Sequence, residues 1–409
     1  KKILSKWAES IWETGIEFGT VAGKRGDTTV EVTTYRTEQY DPESRKPEVE
    51  YGDSIHGDLS RRDFTVNSMA LELTGEKPEF IDPFNGLQDL AAKVLRTPVR
   101  PGDSFNDDPL RMMRAARFAS QLEFEIAPDV LTSMKDLAHR ISIISAERVR
   151  DEFTKIMMSA NPRIGITILV DTGLADIVLP EIPKLRLEVD EHHHHKDVYE
   201  HSITVLEQAI ALEQRLGGPN LVIRIAALLH DIGKPKTRAF IEGGGVSFHH
   251  HEVVGARLAK KRLQALRFDN ETIEAVELLT MLHLRFHGYG EGEWTDSAVR
   301  RYVRDAGDFL THLHVLTRAD CTTRNKTKAA RLSATYDSLE ARIDLLMEQE
   351  ELSKIRPDLD GEQVMQILKL KPSREVGQAM DFLMELRLEQ GPIGEEAATK
   401  ALLDWWASK

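Results

Sequence analysis

Apolar positions in the first fourteen residues, Ile3, Leu4, Trp7 and Ile11, share one helical face and predict a short helix that Gly15 ends. The run GTVAGKRGDTTVEVTTY then changes period and predicts a β-hairpin around Gly23 to Gly26. In its second strand Val30, Val32 and Thr34 face one way, Glu31, Thr33 and Tyr35 the other. Residues 37–60 are polar, rich in Pro, Asp and Glu and without period, which predicts a long loop. FTVNSMALEL and FIDPFNGLQDLAAKVLRTP follow as a small strand, turn and helix. From residue 105 the pattern is helical almost to the end. LVIRIAALLHDI and TIEAVELLTMLHL read as buried helices with polar residues at their ends. The class is α+β: a small α/β head over 1–104, then helical segments over 105–190, 191–330 and 331–409.

A chain of 409 residues is too long for one ordinary core. One cysteine, Cys321, excludes a disulfide framework and a Cys-based zinc site. No run approaches a membrane span and the first thirty residues lack signal-peptide order, so no membrane partner and a cytoplasmic location are expected. A net charge of −13 argues against nonspecific coating of nucleic acid. It leaves room for local basic surface at Arg257, Lys260, Lys261 and Arg262, or at Arg324, Lys326, Lys328 and Arg331.

Two compact signatures carry chemistry. In DDPLRMMRAARF, Asp107 and Asp108 sit at a helix cap, and Arg111, Arg114 and Arg117 form a stripe opposite the apolar Leu110, Met112, Met113 and Ala116. The plain reading is a capped helix with solvated arginines. The functional reading pairs Asp108 with Arg111, an acceptor beside a donor fork, which suits the edge of a cytosine or adenine base. In RRDFTVNSMA, Arg61 and Arg62 suit phosphate, while Asp63 and Asn67 suit a ribose hydroxyl or a triphosphate-bound metal. The second signature is His201, the pair His230-Asp231, His251, His283 and Asp320, a set that reads as a metal-dependent phosphoester-hydrolysis site.

RRDFTVNSMA, IDPFNGLQDL at Ile81 to Leu90 and DDPLRMMRAARF together resemble the bacterial class II tRNA nucleotidyltransferases. These enzymes add CCA to tRNA 3′ ends from CTP and ATP and share the polymerase-β-like superfamily with bacterial poly(A) polymerases. The resemblance implies a partial nucleotidyltransferase head at 1–104 and a neck at 105–190. It further implies that Asp108 and Arg111 template the incoming nucleotide, that Arg62, Asp63 and Asn67 handle ribose and triphosphate, and that Arg114 and Arg117 line the pocket. Mg²⁺ is the implied transferase metal. Glu31 falls where the superfamily's third carboxylate would lie. The Gly-Gly turn and Asp-x-Asp pair of these enzymes have no match, and the expectation is that they precede Lys1. A poly(A) polymerase remains an alternative.

The segments HSITVLEQAIAL, AALLHDIGKPKT, SFHHHEVVGARLA and LTRADCTTRN resemble the HD phosphohydrolase superfamily, with a tail of actinobacterial type after it. The resemblance implies that His201, His230, Asp231 and Asp320 bind a divalent Mn²⁺, Ni²⁺, Fe²⁺, Mg²⁺ or Zn²⁺ ion. His251 and His283 match histidines that hold a second metal or substrate phosphate, and Lys234 is placed to reach a phosphate. Adjacent His230 and Asp231 can converge on a metal only at a helix end, which Gly233 and Pro235 provide. HD domains attached to such enzymes are associated with phosphatase and 2′,3′-cyclic phosphodiesterase activities. An HD phosphohydrolase whose head survives only as a nucleotide- or RNA-binding module is the second alternative. Nothing in the sequence fixes the oligomeric state.

Overall fold

The computed structural model describes the chain except residues 14–18, 40–47, 52–53, 187–196, 241–245, 291–293, 322–325 and 351–354. Two compact units result. The first is Lys1–Pro183 with Ala265–Arg267, the second Lys184–Gln264 with Phe268–Lys409.

The first unit opens with a single 3-10 turn at Leu4–Lys6 and a three-stranded antiparallel sheet of β1 (Ser10–Trp12), β2 (Thr20–Arg25) and β3 (Thr28–Thr33). The helix expected over the first fourteen residues is therefore wrong. Ser10 to Trp12 instead pair with Lys24 to Ala22, so a neighbouring strand overrides the helical spacing. The Gly15 stop lies outside the described residues. The hairpin β2–β3 forms as read, turning at Gly26 and Asp27. The long loop expected over 37–60 is also corrected. It contains β4 (Arg36–Gln39) paired with β5 (Glu48–Tyr51), then α1 (Ile55–Ser60).

Past α1 come β6 (Ala70–Glu72), β7 (Glu79–Ile81), α2 (Gly86–Ala92) and β8 (Val94–Leu95). The IDPFNGLQDL run holds this turn together. Asp82 accepts from Gly86 N at 2.6 Å and Leu87 N at 2.9 Å, satisfying free amides at the start of α2. Asp89 accepts from Thr65 Oγ1 at 2.8 Å and Arg96 Nε at 3.0 Å. Gly86 lies so close to this turn that a Cβ would fall 2.2 Å from Thr65 O.

The helical part of this unit comprises α3 (Pro101–Asp107), α4 (Leu110–Leu122), α5 (Pro128–Leu137), α6 (Ala146–Met157), α7 (Pro162–Asp171) and α8 (Leu174–Val178), with β9 (Glu125–Ile126) parallel to β8. Helix α4 is its centre and packs on α6 and α7. Its Met112, Met113, Ala115, Ala116 and Ala119 are fully buried, and Phe64 meets Phe118 edge-on at 5.7 Å. The segment RRDFTVN is thereby docked against the arginine helix.

The second unit is helical: α9 (Val198–Leu212), α10 (Leu221–Leu229), α11 (Lys234–Thr237), the hairpin β10 (Ala239–Phe240) and β11 (Val246–Ser247), α12 (His251–Ala265), α13 (Asn270–Leu282), α14 (Asp296–Ala306), α15 (Leu310–Asp320), α16 (Lys326–Glu350), α17 (Gly361–Leu368), α18 (Arg374–Gln390) and α19 (Glu395–Ala407). Helix α10 is apolar all round and packs against α9, α13 and α15. Its one charge, Arg224, is buried against Glu213 at 2.7 and 2.8 Å. Helix α16 runs through position 330, where the sequence suggested a domain boundary. Leu359, Val364, Ala379, Leu383, Ala398 and Leu402 form a separate small core among the last three helices. Among the described residues, no helix is long and apolar enough to cross a membrane.

Candidate active sites

In the first unit the RRDFTVN turn and α4 are tied together side chain by side chain. Asp63 is buried and takes donors from Arg114 Nε (2.8 Å), Asn67 Nδ2 (3.1 Å) and its neighbour's amide, Phe64 N (2.9 Å). Burial would raise its pKa, but Arg114, Asn67 and the Phe64 amide outweigh burial and hold the carboxyl below its ordinary value. Arg111 is buried as well. Its Nη1 donates to Ser104 Oγ at 2.8 Å and Ser104 O at 3.3 Å, and its Nη2 donates to the Arg61 carbonyl. Arg61 in turn donates to Asp58 through Nε at 3.2 Å. Arg62 is the more exposed of the two, with Nη1 donating to Asn67 O at 3.2 Å.

Asp108 does not share a helical face with Arg111. The pyrrolidine of Pro109 starts a new helix there, and Asp108 precedes it in extended backbone. Its Oδ1 accepts from Leu110 N at 3.1 Å, and its Oδ2 faces Arg148 Nη2 at 3.0 Å. Asp107 is the last residue of α3. Arg117 turns inward to pair with Glu152 at 3.2 Å, its guanidinium 4.3 Å from the Phe118 ring centroid. Glu31 is exposed on β3, with no interaction to this cluster among the described residues. The sequence reading missed Asp58, Ser104, Arg148 and Glu152. Only their partners carried a pattern, and the contacts from Ser104, Arg148 and Glu152 cross 7 to 40 residues.

In the second unit the six His and Asp residues converge. His201 is in the first turn of α9, His230 ends α10, His251 begins α12, His283 ends α13 and Asp320 ends α15. They form two triads, His201–His230–Asp320 and Asp231–His251–His283, whose ligand atoms lie within 4.8 Å of one another. Asp231 belongs to both neighbourhoods. Its Oδ2 is 3.3 Å from His230 Nε2 and 3.6 Å from His201 Nε2, while its Oδ1 is 3.2 Å from His251 Nε2 and 3.9 Å from His283 Nε2.

Helix ends explain the convergence. Carbonyls in the last turn of a helix lack intrahelical partners. His230 Nδ1 donates to Ala227 O at 2.8 Å and His283 Nδ1 to Thr280 O at 2.7 Å, while His251 Nδ1 donates to Phe248 O at 2.8 Å. Each bond fixes the proton on Nδ1 and turns Nε2 inward. Gly233 lets the helices close, because a Cβ there would sit 2.0 Å from His251 O.

Electrostatics completes the site. Burial disfavours a charge on His230, but the carboxylates of Asp231 and Asp320 outweigh it and raise the imidazole to about 10. Burial, helped by the His230 charge, pushes His283 down to about 3. Burial opposes ionisation of Asp231 and Asp320 too, yet the facing histidines hold both well below the carboxylate range. Two carboxylates and four imidazoles are thus packed together, Asp231, His230, His251 and His283 buried and His201 and Asp320 half-buried. Among the described residues, His283 Nε2 is buried without a hydrogen-bond partner, and Nε2 of His201 and His230 lie 3.3 Å apart. Two ring nitrogens this close need a proton or a cation between them. A divalent cation fits this donor set, and both clusters are consistent with divalent-metal sites. Of the other histidines, His249 and His250 are exposed, His312 faces Asn220 and His314 stacks on Tyr302.

Three family models match the chain: a poly A polymerase head domain over residues 1–96, a probable RNA- and SrmB-binding site of polymerase A over 123–185, and an HD domain over 198–325. An A-adding tRNA nucleotidyltransferase of Deinococcus radiodurans is 32% identical over 362 residues, 87% of this chain and 80% of the relative. A multifunctional CCA protein of Neisseria meningitidis is 36% identical over 243 residues, 58% of this chain and 55% of the relative. The chain thus matches about half the length of that protein. The Bacillus stearothermophilus CCA-adding enzyme in complex with CTP shares the fold, with a TM-score of 0.67 at 20% identity over 98% of this chain and 85% of the other. The chain belongs to the bacterial class II tRNA nucleotidyltransferases, the branch with a poly(A)-polymerase head and an HD domain.

Proposed function

We propose that this protein transfers CMP and AMP from CTP and ATP to the 3′ end of tRNA, the terminal hydroxyl attacking the α-phosphate and pyrophosphate leaving. The observation that carries the reading is the latch between the RRDFTVN turn and α4, Arg111 to the Arg61 carbonyl and Arg114 to Asp63. In this reading Asp108, Arg111 and the partly exposed Arg62 would line one nucleotide pocket, in a chain of this family. Arg62 and Arg114 supply cations for the triphosphate. Asp63 orients Arg114 and Asn67 rather than meeting the ribose itself, since three donors already fill it. Asp108, steadied by Arg148, accepts from the exocyclic amine of cytosine or adenine. Arg111 donates to the adjacent ring acceptor when it exchanges the Arg61 carbonyl for the base. Arg117 acts through packing. Glu31, exposed and apart, does not fit the Mg²⁺ expected of this chemistry, and the described residues of the head and neck would contribute nucleotide selection.

Base choice tests the reading. Arg111→Ala should lower the preference for CTP and ATP over GTP and UTP about tenfold or more, the worth of a bidentate base contact. Unchanged preferences would remove the template role. The Deinococcus radiodurans relative is named for A addition, so transfer of AMP alone is the second reading of the same pocket.

The HD unit supports a separate activity, metal-dependent phosphoester hydrolysis, carried by two adjacent triads with Asp231 of the second facing the histidines of the first. His201, His230 and Asp320 would hold one Mn²⁺, Ni²⁺, Fe²⁺, Mg²⁺ or Zn²⁺ ion, and Asp231, His251 and His283 would face a second. The metal would polarise a phosphoryl oxygen and offset charge developing on it. Lys234, whose Nζ donates to Asp231 Oδ2 at 2.6 Å, would present its ammonium to the phosphate.

A further inference from the structure

An acceptor and a donor fork can read one base edge only at a fixed spacing. Asp108 and Arg111 lie on either side of the break at Pro109, Asp108 capping α3 and Arg111 in the first turn of α4. One residue touches both. Ser104, on α3, is fully buried. Its carbonyl accepts from Asp108 N at 3.2 Å and from Arg111 Nη1 at 3.3 Å, and its hydroxyl oxygen accepts from the same Nη1 at 2.8 Å. Arg111 N also donates to Asp108 O at 3.0 Å, which closes a small ring of contacts.

These contacts decide which donors of the guanidinium remain. Each Nη carries a pair of N–H groups and Nε carries one, all in a rigid plane. Ser104 gives Nη1 two acceptors, and Nη2 meets the Arg61 carbonyl. Nε makes no hydrogen bond among the described residues. The edge left for a base is therefore that of Nε and Nη2, whose N–H groups point the same way. An arginine side chain has several rotatable bonds, and a guanidinium not held at Nη1 could turn its other edge to a base instead. Two edges would suit two sets of acceptors, so an unheld Arg111 would select less sharply.

We propose that Ser104 is a positioning residue for base selection. It keeps Arg111 by Nη1 and Asp108 by its amide while Nη2 exchanges the Arg61 carbonyl for cytosine or adenine. This rests on the nucleotidyltransferase reading of the first unit. The test measures kcat/KM of the full chain for CTP, ATP, GTP and UTP, and the calorimetric Kd for inorganic pyrophosphate, which has no base. Ser104→Ala should lower the preference for CTP and ATP over GTP and UTP about tenfold, the effect of one hydrogen bond to a charged group, with the pyrophosphate Kd unchanged. Unchanged preferences would overturn the proposal. So would a pyrophosphate Kd that rises in step with the lost preference, because a merely structural role moves both. In the Arg111→Ala background Ser104→Ala should cost nothing further; an additional loss would show that it acts apart from Arg111 and would overturn the proposal as well. If Arg111→Ala itself keeps the parent's preferences, the template reading falls and takes this role with it. A parent that incorporates no nucleotide fails the transferase reading alone, and Kd values for CTP and UTP then decide the role of Ser104. A CTP preference that Ser104→Ala loses sustains it, and equal ratios in both proteins overturn it.

Discussion

Asp63 shows how a residue chosen for a functional pattern turns out to act on its neighbours. Its carboxylate gathers Arg114, Asn67 and the Phe64 amide, and charged hydrogen bonds of this sort contribute about 1.5–3 kcal/mol each. Asp63→Asn should lower the urea midpoint of the first unit at neutral pH. The folded pKa of Asp63 is depressed, so its contribution is present above the ordinary value of 3.8 and is lost as pH falls through the lower folded value. The gap between parent and Asp63→Asn should therefore narrow below pH 3.8; a gap that widens in acid would contradict the assignment. The clustered His and Asp residues stood out in the sequence most where a polar pair closes an apolar run, as His230-Asp231 does after LVIRIAALL, while His251 opens a charged helix. Arg148 and Ser104 were not, since each is an ordinary polar residue until Asp108 and Arg111 come to it from elsewhere in the chain. Arg117 misled the helical stripe because Glu152, 35 residues away, draws it inward.

Whole elements follow the same logic. Strands β2 and β3 were readable from alternation, whereas β4 and β5 have the sequences RTEQ and EVEY, too polar to show a strand period. The first residues read as helix because four apolar positions happen to fit that spacing, and pairing with β2 decides otherwise. The approach of α12 to the end of α10 depends on Gly233. Gly233→Ala should push the His251 backbone away and lower metal content, with circular dichroism unchanged; full metal occupancy would contradict this account of the close contact. Another element-level device is Arg300 on α14. It is buried, donates twice to Glu350 at 2.8 Å, and donates to Leu388 O at 3.0 Å, joining α14, α16 and α18. Removing one partner of a buried pair costs about 3–5 kcal/mol, so Arg300→Ala should shift the melting of the second unit down by several degrees. An unshifted melting curve would show that the tail helices are held by their own core alone.

At the scale of the molecule, two compact units carry two sets of chemistry-bearing residues, and no residue serves in both. His230→Ala should abolish metal-dependent phosphoester hydrolysis and lower bound metal while leaving nucleotide transfer intact. Loss of both activities together would show that the units are coupled in function. The α+β class was visible in the sequence, and RRDFTVNSMA, DDPLRMMRAARF and the histidine series stood out there because they are local patterns. The latch between head and neck was not, because it is made through the Arg61 carbonyl and the buried Asp63, atoms whose roles appear only on folding. The most direct test of the account is incorporation of labelled nucleotides by the full-length protein on a tRNA that ends at its discriminator base. The account predicts CMP, CMP and then AMP, with CTP and ATP both required; AMP tailing of generic RNA, or addition of AMP alone to tRNA already ending in CC, would contradict it.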